Sequence, residues 1–297
     1  MKKVLFGELA EGIFMERVVR DYDAMTHKHL HNEYEIYYLM EGEQYYFIDE
    51  QTYLVKRGCL VFLDSRQIHK TSHAGDPYHE RILLEIRGEE FRPFMSALML
   101  DFDGFFREHS GVMELNRDEQ LTVEGILFAM MGELKERKEG CEAMVKMELA
   151  RLLIFAHRKA HDSTDKVKPV MLQSSKHQKV HEVVEYIAKN CETAQSLEDL
   201  SKRFYVSKCY LSRIFKEVTG FTVNEFINVQ RVKKAQQMLT ETDEAITEIA
   251  HKLGYESVTY FEKVFKRYSE DSPLKYRKKQ RSYMQHLKEQ ERERIYL

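Results

Sequence analysis

The chain has 297 residues, 46 of them Lys or Arg and 49 Asp or Glu, for a net charge of −3; its length suggests about two domains, and the overall charge by itself argues against nucleic acid. No apolar run is long enough to cross a bilayer, and the opening MKKVLFGELAEGIF, interrupted by Glu8 and Glu11, lacks the apolar core of a signal peptide. Cys59, Cys141, Cys191 and Cys209 form no CxxC pair, so reduced thiols in a cytoplasmic protein are expected.

Residues 14 to about 87 read as short strands broken by turns, the pattern of a sandwich or barrel. Tyr34 to Leu39 is β-rich and turns at Glu41-Gly42-Glu43. Tyr45 to Ile48 returns, Thr52 to Val55 follows, then Cys59 to Leu63 and Ile82 to Ile86. The spacing His29-x-His31-x3-Glu35-x6-Gly42 resembles the first motif of the cupins, and Gly58-x10-His69 resembles part of the second. Asp64, Arg66 and His73 stand where cupins usually have Pro, Gly and Asn. The resemblance implies an antiparallel β-barrel. In metal cupins the positions matching His29, His31, Glu35 and His69 bind one divalent ion, which imidazoles and a carboxylate on one strand face suit. The same residues equally suit a polar ligand pocket or hydrogen bonds at a barrel mouth. Tyr37, Tyr45, Phe47 and Arg81 are further candidates for the barrel interior, where stacking and charge-assisted hydrogen bonds fit a sugar or organic acid. His27, His73 and His79 read as solvated loop residues.

From Glu89 the apolar spacing becomes helical. Phe91, Phe94, Met95, Leu98 and Met99 give one stripe, Leu121 to Leu134 a second, and Met144 to Ala156 a third. Such helices pack on the barrel or pair between two copies of the chain. The polar segment with Pro169, Ser174 and Ser175 reads as a linker. The expected domains are therefore 1–90, a ligand-sensing barrel; 91–162, a helical dimerisation segment; 163–175, the linker; and 176–297, an all-α domain.

That last domain contains one helical unit twice. Leu200 to Gly220 and Ile249 to Glu270 align with Leu200 on Ile249, Phe204 on Leu253, Ser207 on Ser257, and Leu211-x3-Phe215-Lys216 on Phe261-x3-Phe265-Lys266. Each copy reads as a helix-turn-helix, with Ser207 and Ser257 capping the second helices. Ser196 with Asp199, and Thr222 with Glu225, resemble capping boxes; the latter starts a connecting helix of about 18 residues, some 27 Å long. That length is close to one turn of B-DNA, so two reading helices fit successive major-groove segments. Residues 174–297 hold 23 Lys and Arg against 18 Asp and Glu, a net +5, and the remainder is −8; the basic half carries the repeat, as phosphate contact requires.

Ala250-x2-Leu253-Gly254-Tyr255, Tyr260-Phe261-x3-Phe265-Lys266 and Ser272-Pro273-x2-Tyr276-Arg277 make Leu200 to Lys278 similar to the DNA-binding domain of AraC/XylS-type transcription regulators. The chain departs at Glu270, where the family often has Gly, and at Val223, where it often has Pro. The resemblance implies an α+β, multidomain protein: a cupin-type sensor with following helices, then two helix-turn-helix units joined by a long helix.

Exposed residues early in the second helix of each unit meet base edges. These are Lys208, Cys209, Ser212, Arg213 and Lys216 in the first, and Val258, Thr259, Glu262, Lys263 and Arg267 in the second. Arg213 suits guanine, Glu262 the cytosine amine, and Cys209, Val258 and Thr259 thymine methyls. Arg277, Lys278, Lys279 and Arg281 are candidates for phosphate. The expected protein is a cytoplasmic, dimeric regulator, an activator by resemblance, that binds promoter DNA and a small polar effector such as a sugar. RNA polymerase is a further expected partner. No membrane partner, enzymatic activity or obligatory cofactor is expected. The rival reading is a metal-dependent cupin enzyme, an isomerase or dioxygenase, with an appended DNA module.

Overall fold

A computed structural model describes residues 2–10, 12–21, 33–65, 67–162, 175–193 and 196–282. The chain divides into two units, Met1–Gln173 and Ser174–Leu297. The expected linker, apart from Ser175, lies outside the described residues, as do His27, His29, His31 and Arg66.

In the first unit the strands are β1 (Lys2–Ala10), β2 (Ile13–Asp21), β3 (Tyr34–Glu41), β4 (Glu43–Ile48), β5 (Gln51–Lys56), β6 (Cys59–Leu63), β7 (His69–His73), β8 (Tyr78–Ile86) and β9 (Gly111–Glu114). A six-stranded sheet has the order β1-β2-β8-β3-β6-β9, and a three-stranded sheet the order β5-β4-β7. Neighbouring strands pair antiparallel. Successive side chains on a strand point to opposite faces, and β3 uses both. Tyr37 and Leu39 join Tyr46, Ile48, Val55 and Val61 in the core between the sheets. Tyr34, Ile36 and Tyr38 join the core on the other face of the large sheet, under the helices.

Those helices are α1 (Gly88–Ala97), α2 (Phe102–His109), α3 (Arg117–Glu136) and α4 (Cys141–Asp162). Asn116 and Glu119 form a capping box that starts α3. The three apolar stripes bury mainly against the sheet: Phe91, Met95, Ile126, Leu127, Met130, Leu149 and Leu152 are inaccessible. Leu98, Met99, Leu121, Met144 and Met147 remain exposed.

The second unit contains α5 (Ser175–Asn190), α6 (Leu197–Arg203), α7 (Lys208–Thr219), α8 (Val223–Glu241), α9 (Ile246–Lys252) and α10 (Val258–Ser269), and residues 273–282 are also helical. Both expected capping boxes form, on Ser196/Asp199 and Thr222/Glu225. The connecting helix α8 has 19 residues, about 28 Å, and starts at Val223 without a proline.

The internal repeat extends to the caps. Ser207 accepts from Tyr210 N–H and Ser257 from Tyr260 N–H. Both helices end on a left-handed residue, Gly220 at φ 82° and Glu270 at φ 63°, whose N–H bonds Lys216 O and Lys266 O. A residue with a Cβ is strained there by roughly 1–2 kcal/mol. Glu270→Gly is therefore expected to stabilise the second unit by about 0.5–1 kcal/mol, part of the relief being offset by backbone entropy. Chemical denaturation of residues 174–297 measures it; no gain would mean that the strain is relieved elsewhere.

Candidate functional site

The two second helices present corresponding outer faces. The inner face of α7 carries Leu211, Ile214, Phe215 and Val218, and that of α10 carries Phe261, Val264 and Phe265, all buried. Lys208, Cys209, Ser212, Arg213 and Lys216 are exposed on α7, and Thr259, Glu262, Lys263 and Arg267 on α10. Val258 differs from expectation: it is half-buried and packs against the core of the second repeat, at the first position of α10. Tyr260, which the spacing did not single out, is 52% exposed beside it.

Electrostatics further separate the candidates. Lys208 Nζ lies 2.5 Å from Glu198 of α6, which Lys202 also approaches at 3.0 Å; hydrogen bonds from both lysines hold the Glu198 carboxyl below its usual range. The Arg213 guanidinium lies over the Tyr210 ring at 5.7 Å, and Arg267 over Tyr268 at 5.7 Å. Two of the phosphate candidates also have structural partners. Arg277 donates to Leu239 O and Glu244 O, and Arg281 to Thr242 O. Both close the carbonyl end of α8, whereas Lys278 and Lys279 are exposed.

One buried side chain ties the end of α5 to the second repeat. Arg231, in the middle of α8 and 9% exposed, donates from Nε to Cys191 O (2.6 Å), from Nη1 to Gly254 O (3.2 Å) and from Nη2 to Thr193 O (3.2 Å). Its guanidinium lies 5.1 Å from the centroid of the Tyr255 ring. Gly254 has φ +76°, and a Cβ there would lie 2.3 Å from Glu192 O, so only glycine lets the second turn approach.

Beside its apolar core, the interior between the sheets of the first unit carries polar side chains. Glu16, Glu35, Gln44, His69 and Arg81 are all buried there or at its margin. Tyr46 Oη donates to Glu35 Oε1 at 2.9 Å, and Tyr37 Oη to Gln44 Oε1 at 2.5 Å. Burial pushes both phenols far above their usual range, with Glu35 adding to the shift at Tyr46; both hydroxyls therefore remain donors. Arg81 Nη2 donates to Glu16 Oε1 at 2.5 Å, and its guanidinium lies 5.7 Å from the Tyr37 ring centroid. Arg81 Nη1 is buried without a hydrogen-bond partner among the described residues.

Two of the four residues matching cupin metal ligands meet here. His69 Nε2 lies 3.3 Å from Glu35 Oε2, and its Nδ1 lies 2.9 Å from Gln67 O. The carbonyl only accepts, so Nδ1 bears the proton and Nε2 is turned to the carboxylate. That is how metal-ligating histidines are oriented. Tyr45 is a correction: it lies in β4 on the face opposite Gln44 and Tyr46, and is half-buried. Tyr46 occupies the interior place instead, and Phe47 shares the Tyr45 face. His79 is also corrected; it is 2% exposed in β8 rather than solvated.

Two reading helices held by one connecting helix, carried with a domain whose interior is lined by polar groups, define a DNA-binding regulator that contains its own sensor. Residues 17–153 match the family described as an AraC-like ligand binding domain, and residues 200–279 match a helix-turn-helix domain. The multiple antibiotic resistance protein MarA of Escherichia coli (strain K12) is 35% identical over 98 residues, 33% of this chain and 77% of MarA. The HTH-type transcriptional regulator YfiF of Bacillus subtilis (strain 168) is 25% identical over 260 residues, 82% of this chain and 76% of YfiF. The structure of ToxT from Vibrio cholerae aligns with 90% of this chain and 98% of its own, at 14% identity and a TM-score of 0.36. The chain belongs to the AraC family of DNA-binding transcription regulators. Among the described residues no helix is long and apolar enough to cross a membrane.

Proposed function

We propose that this regulator works in the cytoplasm as a homodimeric promoter-binding activator, switched by a small polar effector such as a sugar held between its two sheets. The corresponding exposed faces of α7 and α10 carry the DNA part of the reading. Arg81, Glu35 and Gln44 carry the effector part, because a polyol or hydroxy acid engages a buried guanidinium, a carboxylate and an amide together. Activation, and RNA polymerase as a further partner, rest on family resemblance alone. Dimerisation draws on the apolar residues left exposed just after α1 and on α3 and α4. A groove of about 640 Å³, lined among others by Leu98, Ile126, Met147, Ile154 and Phe155, lies there. The effector acts by binding two arrangements of the protein with different affinity.

The test is binding to fragments of the gene's own upstream region across a salt series, for the full chain and for residues 174–297. Site-selective binding by the short fragment supports the reading, and absence of selective binding by both, even at low salt, defeats it. Within that assay, Arg213→Ala is expected to cost about 1–3 kcal/mol and to relax sequence preference at one position. A uniform loss over all sequences, with a salt slope smaller by about 1, would make Arg213 a phosphate contact instead.

The contact of His69 with Glu35 favours one second reading, a divalent metal held by these residues together with His29 and His31. It would serve as a ligand anchor or as the Lewis acid of a cupin enzyme. Elemental analysis of the purified protein, repeated on Glu35→Gln, tests it; metal content unchanged by the substitution would reject the site.

A further inference from the structure

The end of α2 and the last turns of α4 bring three imidazoles together. His109 closes α2, and His157 and His161 lie one turn apart on α4, hence on one face. His109 Nε2 is 2.9 Å from His157 Nδ1, with the rings 5.1 Å apart and at 76°. The His157 and His161 rings are 4.6 Å apart. Glu108 Oε2 lies 3.9 Å from His109 Nε2, and one ligand atom each of Glu108, His109 and His157 lies within 4.8 Å of the others.

The cluster has one anchored member and an open side. The His109 side chain is 5% exposed, and its ring packs 4.8 Å from the Phe105 ring. The next residue, Ser110, donates to Phe62 O and Gln67 Oε1. Glu108, His157 and His161 face solvent, so an ion has free approach.

We propose that this cluster binds one divalent transition cation, zinc in the first instance, through His109 Nε2, His157 Nδ1, His161 and the Glu108 carboxylate. Ligand atoms about 2.0–2.1 Å from a tetrahedral zinc lie roughly 3.3 Å from one another. The two facing nitrogens need separate by only a few tenths of an ångström to accept it. Three imidazoles and one carboxylate select zinc, copper or nickel over magnesium and calcium. Without an ion, two facing imidazole nitrogens share a single hydrogen bond; a cation uses both lone pairs. The bound ion would clamp the end of α2 to the last turn of α4, the helix from which the chain continues toward the DNA-binding unit. It would also hold the Ser110 corner, whose partner Gln67 accepts from His69 of the polar interior. This site is separate from Glu35 and His69 and goes beyond the sensing function proposed above.

The experiment is titration of the full chain, stripped with a chelator, with zinc against a chromophoric competitor. One zinc equivalent is expected. It should be lost in the double variant His109→Asn/His157→Asn, weakened at least about tenfold in His161→Asn, and retained in His69→Asn. Millimolar magnesium or calcium should not displace it. Cobalt added to the unaltered chain gives a second readout that needs no variant: tetrahedral d–d absorption is expected. Absence of stoichiometric zinc binding, binding that survives the double variant, or a cobalt spectrum of the hydrated ion would each overturn the site and leave a hydrogen-bonded histidine pair.

Discussion

Arg231→Met is expected to destabilise the DNA-binding unit by about 3–5 kcal/mol, the cost of removing a buried charged donor from three carbonyls. Cys191 O, Thr193 O and Gly254 O would all lose their donor at once. Methionine fills much of the same volume, so the loss reports hydrogen bonding more than a cavity. Melting of residues 174–297 should fall by roughly 10–20 °C, on the scale for a domain of this size. The side chain ties the end of α5, the middle of α8 and the turn after α9. Its removal should therefore also broaden sequence preference at the second helix-turn-helix before the fold is lost, because the turn before α10 loses its anchor on the end of α5. A change in stability below about 1 kcal/mol would show that water replaces the guanidinium without penalty.

The second large effect is expected at Glu16. Its carboxylate meets Arg81 at 2.5 Å, Lys2 at 3.4 Å and Arg20 at 3.9 Å. The Arg81 and Glu16 side chains are each only 9% exposed. Glu16→Leu leaves Arg81 charged, buried and without its carboxylate, which costs about 3–5 kcal/mol. Adding Arg81→Met to that variant should restore most of the stability, since a buried ion pair exchanges for apolar groups at little net cost. Urea denaturation of the single and double variants forms the cycle. The double variant should then be stable yet unresponsive to effector. A double variant as unstable as the single one would mean that Glu16 serves Arg20 and Lys2 rather than Arg81.

The helical half was legible because its signals are local. Capping boxes, stop residues and apolar spacing all act within a few positions, and the internal repeat states each of them twice. Val258 was misread because the residue after an N-cap sits at the margin of the apolar stripe, where the other repeat has Lys208. The sheets were legible in kind but not in phase. Tyr45-Tyr46-Phe47-Ile48 is an unbroken apolar run, so its alternation carries no visible parity. Only the pairing of Tyr46 with Tyr53 and Thr71 fixes which tyrosine turns inward. Glu16 and Gln44 were missed for the same reason: they are polar residues whose partners stand 65 and 7 positions away. Strand β7, His-Lys-Thr-Ser-His, has almost no apolar content, and β1 is an edge strand with mostly exposed side chains. The first strand therefore begins well before residue 14.

The two repeats follow one another along the chain, and their exposed faces carry different residues. Cys209, Ser212 and Arg213 stand on one where Thr259, Glu262 and Lys263 stand on the other. A single chain consequently has a leading and a trailing end on the double helix, like a word that cannot be read backwards. Its target is therefore expected to be non-palindromic. Inserting half a turn of DNA between the two elements is expected to carry the second out of reach, since the 19-residue α8 joins the two repeats.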